Sequence, residues 1–76
     1  MGLTTRQELV LQCVIDAKNE GRRPYTAGIL SRMKAKGHDI TLRQCSYDLG
    51  RIVSTPGTGV ISIRYGSGRT LWVFEK

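Results

Sequence analysis

Arginine is the side chain of this sequence best suited to chemistry with another molecule. Eight of the twelve basic residues are arginines, six residues are acidic, and the formal net charge is +6 over 76 residues. Because the guanidinium group is a planar fork that matches phosphate oxygens and base edges, this composition favours nucleic acid or another acidic partner. A basic surface that serves only solubility is the alternative interpretation, since net charge bears on partners and solubility and not on fold.

Two arginines flank a glycine-containing turn in the segment "RYGSGRT" at residues 64–70. Arg64 and Arg69 have no acidic residue close to them in the sequence, and at an exposed tip their charges repel each other. The segment therefore predicts a contact with phosphates, and solubility is the plainer alternative.

The other reactive residues do not assemble a catalytic or metal site. One histidine and six acidic residues offer no Ser, His and acid constellation and no paired carboxylates at a suitable spacing. Cys13 and Cys45 lie in apolar segments with no secretory signal ahead of them, which predicts buried thiols in a reducing cytoplasm, and with the lone His38 they do not make a zinc site. No apolar run approaches the roughly 20 residues that span a bilayer. We therefore expect a cytoplasmic protein that is not an enzyme, binds no cofactor and has no membrane partner.

Three helices are predicted from apolar spacing and end signals, over about residues 5–20, 27–36 and 41–53. Thr5 and Glu8 have the capping-box spacing that starts the first helix, and Gly21 ends it. Thr26 is the predicted N-cap of the second helix, which ends at Gly37.

The third helix is predicted to have two contrasting faces. Thr41 and Gln44 repeat the capping-box spacing at its start. Its apolar residues step by three, four and three, which predicts an inward stripe of Leu42, Cys45, Leu49 and Ile52. The outward face then carries Arg43, Gln44, Ser46, Tyr47, Gly50 and Arg51. Asp48 either pairs with Arg51 or faces away. Gly50 costs the helix about 1 kcal/mol relative to alanine, which indicates tight packing on a hairpin or a close approach by nucleic acid.

The C-terminal segment "VISIRYGSGRTLWVF" alternates on both sides of "GSG" and predicts a β-hairpin over about residues 60–74. A three-residue loop pairs Tyr65 with Arg69, and the pairing continues as Ile63 with Leu71 and Ile61 with Val73. This register gives one mostly apolar face, and the other face carries Ser62, Arg64, Thr70 and Trp72. Trp72 is expected to cover the first helix, with stacking on a partner as the alternative.

The order of these elements resembles the winged helix-turn-helix superfamily over nearly the whole chain. The residues that carry the resemblance are the helix pair "TAGILSRMKAKGHDITLRQCSYDLGRIV" and the hairpin "GVISIRYGSGRTLWVFEK" as the wing. The resemblance implies an α+β fold in one domain over residues 1–76. It also implies that the helix at 41–53 enters a DNA major groove and that the tip at 66–68 touches the neighbouring backbone or minor groove. The small size is similar to that of phage-type or plasmid-type transcriptional regulators, and a fragment or accessory domain is the alternative.

The chemistry of the residues agrees with this expectation. Arg43 can grip the O6 and N7 atoms of guanine, and Gln44 can grip the N6 and N7 atoms of adenine. Thr41 and the free amides beside it can hold a phosphate at the positive end of the helix dipole. The predicted DNA-binding residues are Thr41, Arg43, Gln44, Tyr47, Arg51, Arg64 and Arg69.

Two other functions stay open at the level of sequence. One is a protein-interaction or inhibitor module on the same fold, and the other is RNA or non-specific nucleic-acid binding. Exposure of Arg43, Gln44 and Arg51 on one helix face would favour DNA, whereas exposure of Trp72 together with Tyr25 would favour a protein partner. A homodimer is also expected if the protein reads DNA, because one module touches few base pairs.

Overall fold

Three helices precede a two-stranded antiparallel hairpin in the computed structural model, which describes residues 2–66 and 68–75. The elements are α1 (Thr5–Asn19), α2 (Thr26–Ala35), α3 (Leu42–Ser54), β1 (Val60–Tyr65) and β2 (Arg69–Phe74). This α+β layout is that of a winged helix-turn-helix with a C-terminal hairpin, as the sequence predicts. The expected domain bounds of 1–76 and the hairpin tip include Met1, Ser67 and Lys76, which lie outside the described residues.

The N-cap of α1 lies one residue earlier than predicted. Thr4 is the N-cap, its Oγ1 accepts a hydrogen bond from the backbone N–H of Gln7 at 3.1 Å, and Oε1 of Gln7 accepts from the N–H of Thr4 at 3.1 Å. The predicted box of Thr5 and Glu8 is therefore wrong. The two threonines offer the same spacing in two registers, and the observed one buries Gln7 with its amide 3.4 Å from Asp48.

The starts of α2 and α3 show one correction and one confirmation. Tyr25, not Thr26, is the N-cap of α2, and it makes no side-chain cap. Thr26 is instead the first helical residue, and its hydroxyl oxygen accepts a hydrogen bond from the indole Nε1 of Trp72 at 2.9 Å. At α3 the predicted capping box of Thr41 and Gln44 is confirmed.

The core lies between the three helices and the hairpin face that carries Val60 and Trp72, and not the predicted apolar face that carries Ile61. Its buried members are Val10, Cys13, Val14, Ile29, Met33, Ile40, Cys45, Leu49, Ile52, Val60 and Trp72. Each fully buried aliphatic side chain of this kind stabilises the fold by about 1.5–3 kcal/mol. Leu42 was predicted to join this set, but it is 52% exposed. The prediction is wrong because the first turn of α3 faces a groove beside α2 and the hairpin, not the core.

The hairpin has the predicted register, with Ile63 opposite Leu71 and Tyr65 opposite Arg69. Its two strands differ in burial. Leu71 is buried, whereas Ile63 on the same face is half-buried and Tyr65 is exposed. The reason is that the Pro24–Tyr25 segment lies along the outer edge of β2, where the carbonyl of Pro24 accepts a hydrogen bond from the N–H of Trp72 at 3.0 Å.

Candidate nucleic-acid interface

The outward face of α3 presents Arg43, Tyr47 and Arg51, each four residues apart and therefore one above the other on the helix. All three side chains are exposed, and Tyr47 is 62% exposed. Within residues 2–66 and 68–75, the guanidinium groups of Arg43 and Arg51 make no ion pair and no hydrogen bond. The structure thus places these three predicted residues on one face, with both positive charges available to a partner.

Thr41 and Gln44, at the N-terminus of α3, are hydrogen-bonded to each other in the capping box. The hydroxyl of Thr41 accepts from the N–H of Gln44 at 3.1 Å, and Oε1 of Gln44 accepts from the N–H of Thr41 at 3.0 Å. A bidentate grip on adenine uses both the oxygen and the nitrogen of a glutamine amide. Gln44 would therefore have to leave or share its cap to make that contact. Its free Nε2 can still donate a single hydrogen bond, and the remaining amides of the first turn are open to a phosphate.

A groove of about 590 Å³ runs between the start of α2, the first turns of α3 and the hairpin. Arg64 and Arg69 line it on the hairpin side, and Leu42 and Ser46 line it on the α3 side. A second depression, which shares Leu42 and Ser46, continues to Arg43. No acidic side chain lines either depression in the described part of the chain. The wing and the outward face of α3 therefore form one continuous positive surface.

The two wing arginines differ in how they are held. The guanidinium carbon of Arg69 lies 5.2 Å from the centroid of the Tyr25 ring, a cation–π contact that orients the group and keeps its charge. Arg64 is exposed and, among the described residues, has no ion-pair partner. Gly66 and Gly68 both have positive φ, 28° and 90°, as a tight loop between these strands requires. The contact between Tyr25 and Arg69 could not be predicted from the sequence, because the two residues are far apart in the chain.

Two acidic side chains at the C-terminal end of α1, Asp16 and the C-cap residue Glu20, are paired away from this surface. Glu20 accepts two hydrogen bonds from Arg32 at 2.8 and 2.9 Å, and the carboxylate of Asp16 lies 3.3 Å from Nζ of Lys36. The hydrogen bonds from Arg32 lower the pKa of Glu20. The pKa of Asp16 is lowered mainly by a hydrogen bond from Gln12 and further by Lys36. These pairs connect the C-terminal parts of α1 and α2 and leave the α3 arginines without competing carboxylates.

Asp48 is the one acidic residue of α3, and it points into the protein. Its side chain is fully buried, with its two oxygens 2.6 and 3.0 Å from Nε and Nη2 of Arg6. The predicted alternative of a pair with Arg51 is wrong. Asp48 shares the inward stripe with Cys45, from which it is three residues distant, so the helical period already directs it toward α1. That helical period was the sequence signal that Asp48 is buried and therefore needs a cationic partner, which is Arg6.

Gly50 lies on the outward face of α3 with open space around it. A Cβ built at this position would meet nothing within 4 Å. The interpretation of Gly50 as a site of tight packing against the hairpin is therefore wrong. A close approach by nucleic acid stays a prediction.

Both thiols are free and buried, as predicted. Burial raises the pKa of Cys13, and it raises that of Cys45 to about 11. Such thiols are inert at neutral pH. Among the described residues, no three His, Cys, Asp or Glu side chains gather where they could hold a metal ion, and no helix is both long and apolar enough to cross a membrane.

Comparison of the chain with protein-family models, with curated proteins and with solved structures found no match. The chain's own residues and their arrangement therefore carry the proposal for its function.

Proposed function

We propose that this protein binds double-stranded DNA in a sequence-specific manner as a small transcriptional regulator. In this proposal α3 enters the major groove, and Arg64 and Arg69 of the hairpin contact the phosphate backbone. Action in the cytoplasm and a phage-type or plasmid-type origin belong to the same proposal.

The observation that carries the proposal is a cluster of unpaired arginines on one surface, formed by α3 and the hairpin. Arg43, Arg51 and Arg64 have no acidic partner in the described part of the chain, whereas Arg6 and Arg32 are consumed by internal ion pairs. Unpaired guanidinium groups repel one another, and an anionic partner such as a phosphate backbone relieves that repulsion. The arrangement is the electrostatic footprint expected of a protein that binds nucleic acid.

The dimensions of α3 suit the groove of B-form DNA. A helix with its side chains is about 10–12 Å wide, and the major groove is about 12 Å wide. Arg43 and Arg51 are eight residues apart, which corresponds to about 12 Å along the helix axis. That length spans roughly three to four base pairs, so a single copy would read a short half-site and a homodimer would give adequate specificity.

The competing functions receive less support. Trp72 is only 8% exposed, so the exposed Trp72 and Tyr25 pair that would favour a protein partner is not formed. Arg43, Gln44 and Arg51 are all exposed on α3, which is the arrangement that favours DNA. The deep, narrow major groove of A-form RNA does not admit side chains for reading, so a helix-reading mode favours DNA over double-stranded RNA.

The test is selection of bound sequences from a pool of random duplexes, followed by affinity measurements on the selected site and a scrambled site. We expect an enriched motif for the parent protein. Arg43→Ala should weaken binding to the selected site by roughly 1–3 kcal/mol and flatten the preference over the scrambled site, because base-edge contacts discriminate between sequences. Lys18→Ala removes one positive charge from α1, outside the groove, and should keep the preference. The absence of any enriched motif would refute sequence-specific binding, and an equal loss on both sites would make Arg43 a backbone contact.

A further inference from the structure

Leu42 is an exposed aliphatic side chain at the start of α3, within the positive surface. It is 52% exposed, although it follows the cap residue Thr41 directly and shares the apolar spacing of the helix. It lines both depressions of the candidate interface, between Arg64 on one side and Arg43 on the other. This apolar side chain lies outside the core cluster and lines depressions whose arginines suit an anionic partner.

The major groove of DNA presents an apolar group that an exposed leucine can contact. Major-groove edges of base pairs present donors and acceptors, and thymine adds its C5-methyl group. Alanine, threonine methyl and aromatic side chains contact that methyl group in protein–DNA complexes, and a leucine methyl offers the same surface. A partner that brings phosphates to Arg64 and a base edge to Arg43 would therefore bring base edges to Leu42 as well.

We infer that Leu42 contacts the C5-methyl group of a thymine and is a specificity-determining residue of this protein. The inference rests on the proposed DNA binding and deepens it, because it adds a thymine to the half-site that Arg43 reads. Leu42 then discriminates by apolar contact, and Arg43 discriminates by hydrogen bonding.

The experiment replaces each thymine of the selected duplex, one at a time, with deoxyuridine, which differs only in lacking the C5-methyl group. For the parent protein we expect one thymine at which the replacement weakens binding about fourfold, the equivalent of one buried methyl group at about 0.8 kcal/mol. Leu42→Ala removes the outer carbons of the side chain that reach the thymine from this backbone position, so in that variant the same replacement should cause no loss. Leu42→Met keeps an apolar side chain of similar volume and should retain most of the fourfold effect.

Ile61→Ala is the matched control, because Ile61 is also aliphatic and is 41% exposed, but lies on β1 outside the two depressions. It should keep the full deoxyuridine effect, and circular dichroism should show all variants folded. A selected duplex with no thymine sensitive to the replacement, or a sensitivity that Leu42→Ala keeps, would overturn the inference while leaving sequence-specific binding intact. Failure to select any duplex would overturn both. If Leu42 contacts a protein partner instead of DNA, we expect a selected duplex with no thymine that is sensitive to the replacement.

Discussion

Replacing Arg6 with alanine would leave the carboxylate of Asp48 buried without its charged partner. Asp48 is fully buried in the middle of α3, and besides those from Arg6 its only side-chain hydrogen bond in the described residues comes from the amide of Gln7 at 3.4 Å. Removal of one member of a buried ion pair typically costs about 3–5 kcal/mol, because the remaining charge is left uncompensated. The side chain of Arg6 is 39% exposed, so water can reach the vacated place, and we expect about 2–4 kcal/mol for Arg6→Ala.

A second substitution separates the effect of the unpaired charge from a simple loss of contacts, because it should raise stability when it is added to Arg6→Ala. Asp48→Asn removes the buried charge and keeps the shape and a hydrogen bond to Gln7. Added to Arg6→Ala, it should restore about 1–2 kcal/mol, because a neutral amide costs less to leave unpaired than a carboxylate. Arg32→Ala, which breaks a surface pair with the exposed Glu20, should cost less than about 1 kcal/mol.

Urea unfolding is the suitable assay, because a chain of this length is expected to have roughly 4–11 kcal/mol of stability. Trp72 is the single tryptophan and is buried, so its fluorescence reports on the core. A cost of less than about 1 kcal/mol for Arg6→Ala, or a double variant less stable than Arg6→Ala alone, would refute the stabilising role of the buried pair.

The remaining predictions concern the candidate interface and the buried thiols. Arg64→Ala with Arg69→Ala should weaken binding to selected and scrambled DNA by similar factors and lower the slope of log affinity against log salt by up to roughly 2, whereas an unchanged slope in the folded variant would place the wing off the DNA. Gly50→Ala should raise stability by about 1 kcal/mol, since the added methyl meets open space, and should weaken DNA binding; a loss of stability in urea, or an unchanged affinity, would contradict this. Iodoacetamide should modify Cys45 slowly near pH 8 and rapidly in urea. Stability should fall as pH rises above 9.0, the ordinary pKa of a thiol, because the thiol of the unfolded chain ionises there while the pKa of the folded one is about 11. Rapid labelling of the folded protein would show that the thiol is accessible.

The bounds of the helices and strands were predictable because their signals are local. The stop at Gly21 and the alternation on both sides of "GSG" each act within a few residues, and α1 ends and the hairpin pairs as these signals predict. A capping box does start α1, but Thr4 and Thr5 both offer its spacing within the sequence, and the predicted box at Thr5 was the wrong one. Burial of Gln7 beside Asp48 selects the first, and that contact joins residues 41 positions apart.

The candidate interface was predictable in its members and less so in its shape. Helical spacing places Arg43, Tyr47 and Arg51 on one face without knowledge of the rest of the chain. Periodicity cannot show that the first turn of α3 faces a groove and not the core, so Leu42 was assigned to the wrong environment. The stacking of Arg69 on Tyr25 was equally hidden, because it depends on the segment before α2 lying beside the hairpin.

The buried ion pair connects the stability of the fold with the charge of its surface. An aspartate beside Tyr47 on the outward face would repel an approaching phosphate and would neutralise the charge of Arg51. The structure directs Asp48 inward, where Arg6 of α1 compensates its charge through two hydrogen bonds. The same contact ties α3 to α1 in one orientation, since both oxygens of the carboxylate are engaged by one planar group. Positive charge on the outward face and a fixed position of α3 thus have a common cause, and an alteration of Arg6 should disturb the proposed DNA reading without touching the DNA itself.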